Sequence, residues 1–499
     1  MAKCIMVQGT MSGAGKSLLV TALCRIFAQD GLRVAPFKSQ NMALNSFVTP
    51  DGLELGRAQA VQAEAAGLEC DVRMNPILLK PSSDTGSQLI VLGEVRGQYD
   101  AKDYFAMKRG LIPEIRAAYE GLAAENDVIV IEGAGSPAEI NLRQDDIVNM
   151  GLAELVNAPV LLAGDIDRGG VFAQLYGTVA LLQPEERRRV EGLVINKFRG
   201  DVDLLKPGLV QLEALTEKPV LGVVPWLRLD IDDEDSLAPR LTRKGEKRAL
   251  DLSVVRLPHI SNFTDFSPLE EHPALSLRYA AKPAELGEPD LILLPGTKNT
   301  MGDLAWLFET GFAEKVQTLC RLGTPVLGVC GGYQMLGRTL SDPEGVEQQG
   351  TREGLGLLPC ETVFTRDKTR KRERAVCSGG PFEDARLEGY EIHMGKTRRL
   401  GGAAFCRFED GGEDGTAAGH AFGTYLHGLF DSGELTVKLA EYLAARKGIE
   451  IPAVQPSDRA AYRSRQYDLL ADAVRESLDM ERIYRIMEEY EHEGSAHTD

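Results

Sequence analysis

The chain has 499 residues, 43% hydrophobic and 26% charged, a balance that argues for a globular protein and against disorder. At roughly 100–200 residues per domain, this length implies two or three domains. Lys and Arg number 56 against 74 Asp and Glu, and the net charge of −18 argues against a main role in binding nucleic acid or an anionic membrane.

No segment approaches the length of a transmembrane helix, and the start MAKCIMVQGT lacks a signal-peptide layout. A cytoplasmic location with eight reduced cysteines is expected, and no Cys-x-x-Cys pair offers a zinc or redox site. The basic run 187–189 reads as a solvated helix face.

In chain order, short apolar runs alternate with amphipathic stretches. Strands are expected at 4–8, 33–37, 128–131, 160–163, 192–195 and 220–223, with helical stretches such as 17–29 and 56–66 between them. This alternation predicts a parallel sheet with helices on both faces. From 229 to 247 the composition turns acidic (DIDDEDS) and then basic (PRLTRKGEKR), the pattern of an exposed linker. A second α/β unit follows, with strands at 252–256, 291–294 and 326–329 and β pieces around 390–393 and 423–427. From 434 onward the chain reads as helical and polar. The expected division is 1–235, a linker at 236–250, 251–440, and a helical extension over 441–499.

Residues 9–17 read GTMSGAGKS, between an expected strand and an expected helix, which is the context of a phosphate-binding loop. Gly13 and Gly15 let backbone N–H groups approach phosphates. Lys16 adds a point charge, Ser17 can ligate Mg²⁺, and the helix N-terminus favours an anion. Thr10 completes the nucleotide-binding candidates. Gly9 and Gly15 are separated by five residues rather than the usual four. Glu132, at the end of a central strand, is the second candidate ligand for Mg²⁺, with a loop or capping acid as the alternative.

KSQNMALNS (38–46) follows the second strand and is dense in amides and hydroxyls. Lys38 and Asn41 are candidates for stabilising a transferring phosphoryl group, against the alternative of a polar surface turn. KPSSDTGSQ (80–88) and DIDRGG (165–170), the latter with Asp165 and Arg168, are further candidates for substrate or phosphate contact.

Residues 326–334 read VLGVCGGYQ. Cys330 is expected on a tight strand-to-helix turn with small neighbours, where a helix N-terminus lowers a thiol pKa. The alternative is a buried cysteine in a glycine turn. A nucleophile of this kind needs a base. Of seven histidines, His427 in GTYLHGLF sits at a strand end and is the candidate, and His393 in GYEIHMG is the runner-up. His259 reads as a loop residue, and His492 and His497 lie in the tail.

The long spacing of the first loop resembles dethiobiotin synthetase and its relatives. That resemblance implies that Asn196 in VINKFRGD faces the adenine base and that GVVPW (222–226) helps enclose it. The Cys330 turn resembles the nucleophile elbow of class I glutamine amidotransferases. It implies an oxyanion site at backbone N–H groups near Gly331 and the loop LPGTKNT, with Gly296 allowing close approach and Gln334 at the glutamine site. Such enzymes usually carry Glu two residues after the histidine. Here Leu429 holds that position, so the orienting acid is absent or comes from elsewhere, as in cobyrinic and cobyric acid amidotransferases that work with a Cys–His pair. Weak glutaminase activity in isolation is implied.

Together the two halves resemble the cobyric acid synthase family over nearly the whole chain, with KSQNMALNS and SNFTDF as its specific segments. The resemblance implies two parallel-sheet α/β domains, an N-terminal P-loop NTPase of the dethiobiotin synthetase type and a C-terminal flavodoxin-like class I glutamine amidotransferase. It further implies that ATP, with Mg²⁺, phosphorylates carboxylates b, d, e and g of the corrinoid adenosylcobyrinic acid a,c-diamide, and that ammonia from L-glutamine displaces phosphate. The competing readings are cobyrinic acid a,c-diamide synthase, a partition-type P-loop ATPase, which has no reason to carry a glutaminase half, and a catalytically dead ligand-holding module.

Overall fold

The computed structural model describes residues 2–81, 86–232, 241 and 247–496, without the side chains of 492–496. Six strands form the first sheet in the order Val220–Pro225, Val190–Phe198, Val160–Asp165, Lys3–Gly9, Val128–Glu132, Val34–Phe37. Every pairing in it is parallel. Strands Val128–Glu132 and Val160–Asp165 are buried along their whole length, which is why they read as unbroken apolar runs rather than alternating ones. The strands outlast those runs. Val7 pairs with Glu132 and Asp165 with Asn196, so polar side chains are carried, in register, to the carboxyl edge where open α/β sheets bind ligands.

The second sheet has the order Leu275–Ala280, Leu250–Val255, Leu291–Leu294, Val326–Val329, Ala421–Thr424, Thr416–Ala418. It is parallel except at its last strand. The β pieces expected near 390–393 belong to a much larger feature. Cys360–Cys377 and Arg386–Arg399 form a long antiparallel hairpin, joined by Thr339–Asp342, Gly350–Glu353, Cys406–Phe408 and Glu413–Asp414. Its strands are rich in Arg, Lys and Glu, which masks their period.

The segment 38–46 is not a simple loop. It contributes the strands Gln40–Met42 and Ser46–Val48. The first joins a small sheet with Ile77–Pro81, Gly86–Val91 and Glu94–Asp100, and the second pairs with Glu54–Gly56. Asn45 and Ser46 then meet the second domain. Asn262 donates from its backbone N–H to Asn45 Oδ1 (2.7 Å) and from Nδ2 to the Ser46 carbonyl (3.0 Å), while Val48 packs with Tyr390 and Ile392 of the hairpin.

The expected C-terminal extension divides between the domains. Helix Glu434–Lys447 buries Leu435, Leu439 and Leu443 in the second core. Helices Arg459–Ser477 and Met480–Ala496 return to the first domain, where Leu470, Val474, Leu478, Ile483 and Ile486 share a core with Leu19, Leu23 and Phe27. Most of the expected linker, 233–240 and 242–246, lies outside the described residues. No described helix is long and apolar enough to cross a membrane.

Candidate active sites

The glycine-rich loop joins strand Lys3–Gly9 to helix Lys16–Gln29. Gly13 and Gly15 have φ of 77° and 91°, a region in which a side chain would be strained. A Cβ on Gly15 would also lie 2.1 Å from Asn196 Nδ2. That amide donates to the Ala14 carbonyl (3.0 Å), so Asn196 is buried against the loop backbone. Lys16 Nζ donates to the Met11 and Gly135 carbonyls (3.1 Å each), and Thr10 Oγ1 to Gln174 Oε1 (3.1 Å). Asp165 is fully buried and pairs with Lys197 (2.8 Å) and Arg168 (3.7 Å) beside the loop. Arg199 stacks over the half-exposed Trp226 ring, 3.9 Å from its centroid.

Glu132 is the centre of this site. Its Oε1 accepts from Ser17 Oγ and Lys38 Nζ, each at 2.9 Å, and its Oε2 accepts from Gln62 Nε2. The hydroxyl and carboxylate are hard oxygen donors at the phosphate end of the loop, a set that fits Mg²⁺, which typically takes one or two protein carboxylates and completes its shell with phosphate and water. Asn41 lies one layer back, donating to Gln59 Oε1 (3.0 Å).

In the second domain Cys330 caps helix Gly331–Leu336 with φ 52° and ψ −109°, an uncommon conformation for a non-glycine residue. The crowding that requires glycines around it is visible. A Cβ on Gly332 would sit 2.0 Å from the Leu294 carbonyl, and one on Gly331 would sit 2.7 Å from Thr297 Cγ2. Gly296 faces His427, where a Cβ would lie 3.3 Å from His427 Cε1. Gln334 is buried, accepting from Thr300 Oγ1 (3.3 Å) and donating to Tyr425 OH (3.1 Å).

The acid missing at Leu429 comes from elsewhere. Leu429 is wholly buried in the apolar core. Asp265, from SNFTDF, takes His427 Nδ1 at 2.7 Å and the Gly428 N–H at 3.1 Å. Burial opposes a charge on His427, yet Asp265 and the hydrogen-bonded Cys330 thiol together push its pKa up to about 10. This cysteine, histidine and carboxylate form a triad in which the third member is contributed from far upstream in the sequence. His393, the runner-up, lines the same cavity as Cys330 and His427 but makes different contacts. It stacks on Tyr425 at 3.6 Å, and its Nδ1 lies 2.9 Å from the Gly395 carbonyl.

Cys330, His427 and Gln334 open on a cavity of about 510 Å³ that also takes in Asn262, Lys298 and Glu347. Burial drives Lys298 toward its neutral form, with Lys368 and Lys80 adding to the effect, and burial likewise raises Glu347. Glu54, buried beside the cavity, stays ionised because Lys368 and Lys80 pair with it. Sequence reading missed Asp265, Lys298 and Glu347. SNFTDF was noticed as a motif, but nothing local marks its acid as the partner of a histidine 162 residues away.

Comparison with known proteins is consistent with both halves. Residues 5–236 match the CobQ/CobB/MinD/ParA nucleotide binding domain, and residues 251–435 match the CobB/CobQ-like glutamine amidotransferase domain. A cobyric acid synthase of Ruminiclostridium cellulolyticum is 55% identical over 100% of this chain and 99% of its own length. Those of Lachnoclostridium phytofermentans and Klebsiella pneumoniae are 54% and 52% identical, each over 98% of this chain, and over 100% and 98% of their own lengths.

Proposed function

This chain belongs to the cobyric acid synthase family, and from that premise we propose that it is a glutamine-hydrolysing, ATP-dependent ligase that converts corrin carboxylates b, d, e and g of adenosylcobyrinic acid a,c-diamide to amides. The observation that carries the reading is the pairing, in one chain, of a Cys330–His427–Asp265 triad with a Ser17–Glu132–Lys38 cluster at a phosphate-binding loop.

In the amidotransferase half, the Cys330 thiolate attacks the glutamine carboxamide carbon. Backbone N–H groups at Gly331 and the Gly296 loop receive the oxyanion, as expected for donors fixed before the charge develops. His427 gives its proton to the departing ammonia, and water then releases glutamate from the thioester. Lys298 and Glu347 are suited to the carboxylate and ammonium of the amino acid, and Gln334 lines the same cavity.

In the nucleotide half, Thr10, Gly13, Gly15 and Lys16 are placed to bind the phosphates, and Ser17 and Glu132 would hold Mg²⁺. A metal held there would supply positive charge to the transferring phosphoryl group. Asn196 buttresses the loop close to the base, and Trp226 with Arg199 offers a flat surface for adenine. Lys38, released from Glu132, would face the phosphoryl group, with Asp165 and Arg168 beside the loop and Asn41 one layer behind. Eight cysteines without a disulfide suit a reducing cytoplasm.

The test is mass spectrometry of the corrin product with ATP and glutamine. Adenosylcobyrinic acid a,c-diamide should gain four amides. The Cys330→Ala protein should make the same product from ammonium salts but not from glutamine. A product amidated only from unmodified cobyrinic acid would assign the chain to a,c-diamide synthesis instead.

A further inference from the structure

Helix Arg57–Ala65 presents two glutamines, Gln59 and Gln62, to the phosphoryl site, and both are fully buried. They belong to a packed group of amides. Gln59 Oε1 accepts from Asn41, and the Asn75 amide accepts from the Gly56 N–H and donates to the carbonyls of Lys38 and Ile77. The group is tight enough that a Cβ on Gly56 would fall 2.6 Å from Asn41 Nδ2 and 2.8 Å from Gln59 Oε1.

Gln59 Nε2 is without a described partner, but Gln62 is the glutamine of this helix that touches Glu132. Its Nε2 donates to Glu132 Oε2, and a carboxylate can only accept, so the orientation of the amide is determined. Its Oε1 is buried, and no described residue donates to it. Buried acceptors are nearly always satisfied, and one left open beside a reaction centre points to a donor that arrives with the chemistry. Glu132 is also bonded to Ser17 and Lys38, so the amide that carries this open acceptor donates to the same carboxylate as the phosphoryl-transfer groups.

Building on the proposed function, we propose that Gln62 Oε1 receives the ammonia released at Cys330 and orients it toward the activated carboxylate. Among the reactants, ammonia is a small N–H donor that must reach this place unprotonated, since ammonium has no lone pair to attack with. A solvent-free amide acceptor suits it better than a carboxylate, which would favour the ammonium form. One N–H is held by Gln62, and the lone pair is free. The nitrogen pair forms the new bond to the acyl carbon. The bond from that carbon to the phosphate oxygen breaks with its electrons on phosphate, and the surplus nitrogen proton goes to the departing phosphate. The direction of supply agrees with the fold. The segment 38–46 runs from Lys38 on Glu132 to Asn45 and Ser46, which bind Asn262 at the wall of the Cys330 cavity.

The experiment compares wild type with Gln62→Met, following amide formation from ammonium salts and, separately, glutamate and amide formed from glutamine. Gln62→Met removes the ammonia contact and also the Nε2 bond to Glu132, so the KM for ammonium should rise about tenfold, well beyond any accompanying rise in the KM for ATP. It should also raise glutamate released per amide well above one, as ammonia escapes. An unchanged ammonium KM with one glutamate per amide would overturn the proposal. So would a defect confined to ATP, which would mean that Gln62 serves only Glu132. If Gln62→Met does not fold, Gln62→Asn is read in the same way, because it retains the amide but retracts it. Failure of the wild type to make any amide from ammonium and ATP would count against the functional reading itself.

Discussion

His427 carries the consequences of a single distant carboxylate. Asp265 and the Cys330 thiol hold its pKa up to about 10, so the imidazolium proposed to protonate departing ammonia persists through neutral pH. Removing the Asp265 charge lowers that pKa, and the protonated form is then lost at lower pH. Asp265→Asn should therefore shift the alkaline limb of the glutamine-hydrolysis profile downward and reduce kcat roughly 100-fold, leaving synthesis from ammonium intact. An unmoved limb would show that another group orients His427. The cysteine and the histidine were legible in the sequence because each sits in a local pattern of glycine and strand. Asp265 was not, because only folding brings residues 265 and 427 together.

Among the elements, the turn from strand Val326–Val329 into helix Gly331–Leu336 shows how little freedom the nucleophile has. The strand is central in its sheet, and the helix lies directly against the neighbouring strand, so Gly332 meets the Leu294 carbonyl with no room for a methyl. Gly332→Ala should cost on the order of 3 kcal/mol of stability, the upper end of ordinary overpacking, measured as a lower urea midpoint, with glutaminase lost before nucleotide binding. The glycines of this turn and of the 9–17 loop were visible in the sequence because their spacing is part of the motif. The long hairpin was not, because its charged strands alternate only where one face meets the core. The strands within 38–46 were hidden for a related reason, since they are short, rich in amides and buried by neighbours from other parts of the chain.

In the whole molecule, the last helices are a structural part of the first domain. Ile483, Ile486 and Met487 are almost fully buried against a core that begins with the phosphate-loop helix. Burying one such side chain is worth roughly 1.5–3 kcal/mol, so the group rivals the roughly 5–15 kcal/mol stability of a typical domain. Truncation after Gly448 should leave the nucleotide half unfolded or aggregated, read by loss of ATP-dependent activity with added ammonium and by a lost thermal transition. A truncated chain with full activity from ammonium would contradict this packing. A polar, helical tail gave no hint of such a role, because its buried residues are spaced thinly among charges and their partner surface lies hundreds of residues upstream.

By itself the sequence determined the two α/β domains and the phosphate loop, and it singled out the candidates for nucleophile and base. These depend on local rules: backbone conformations open only to glycine, a charge at a helix N-terminus, and unbroken apolar runs where a parallel strand is covered on both faces. The tertiary structure alone decided which acid orients His427, which amides stand behind Glu132, how the 38–46 segment joins the two sites, and where the tail packs. Each of these is a contact between residues far apart in the chain, made by short-range forces that act only after the backbone has brought the partners together.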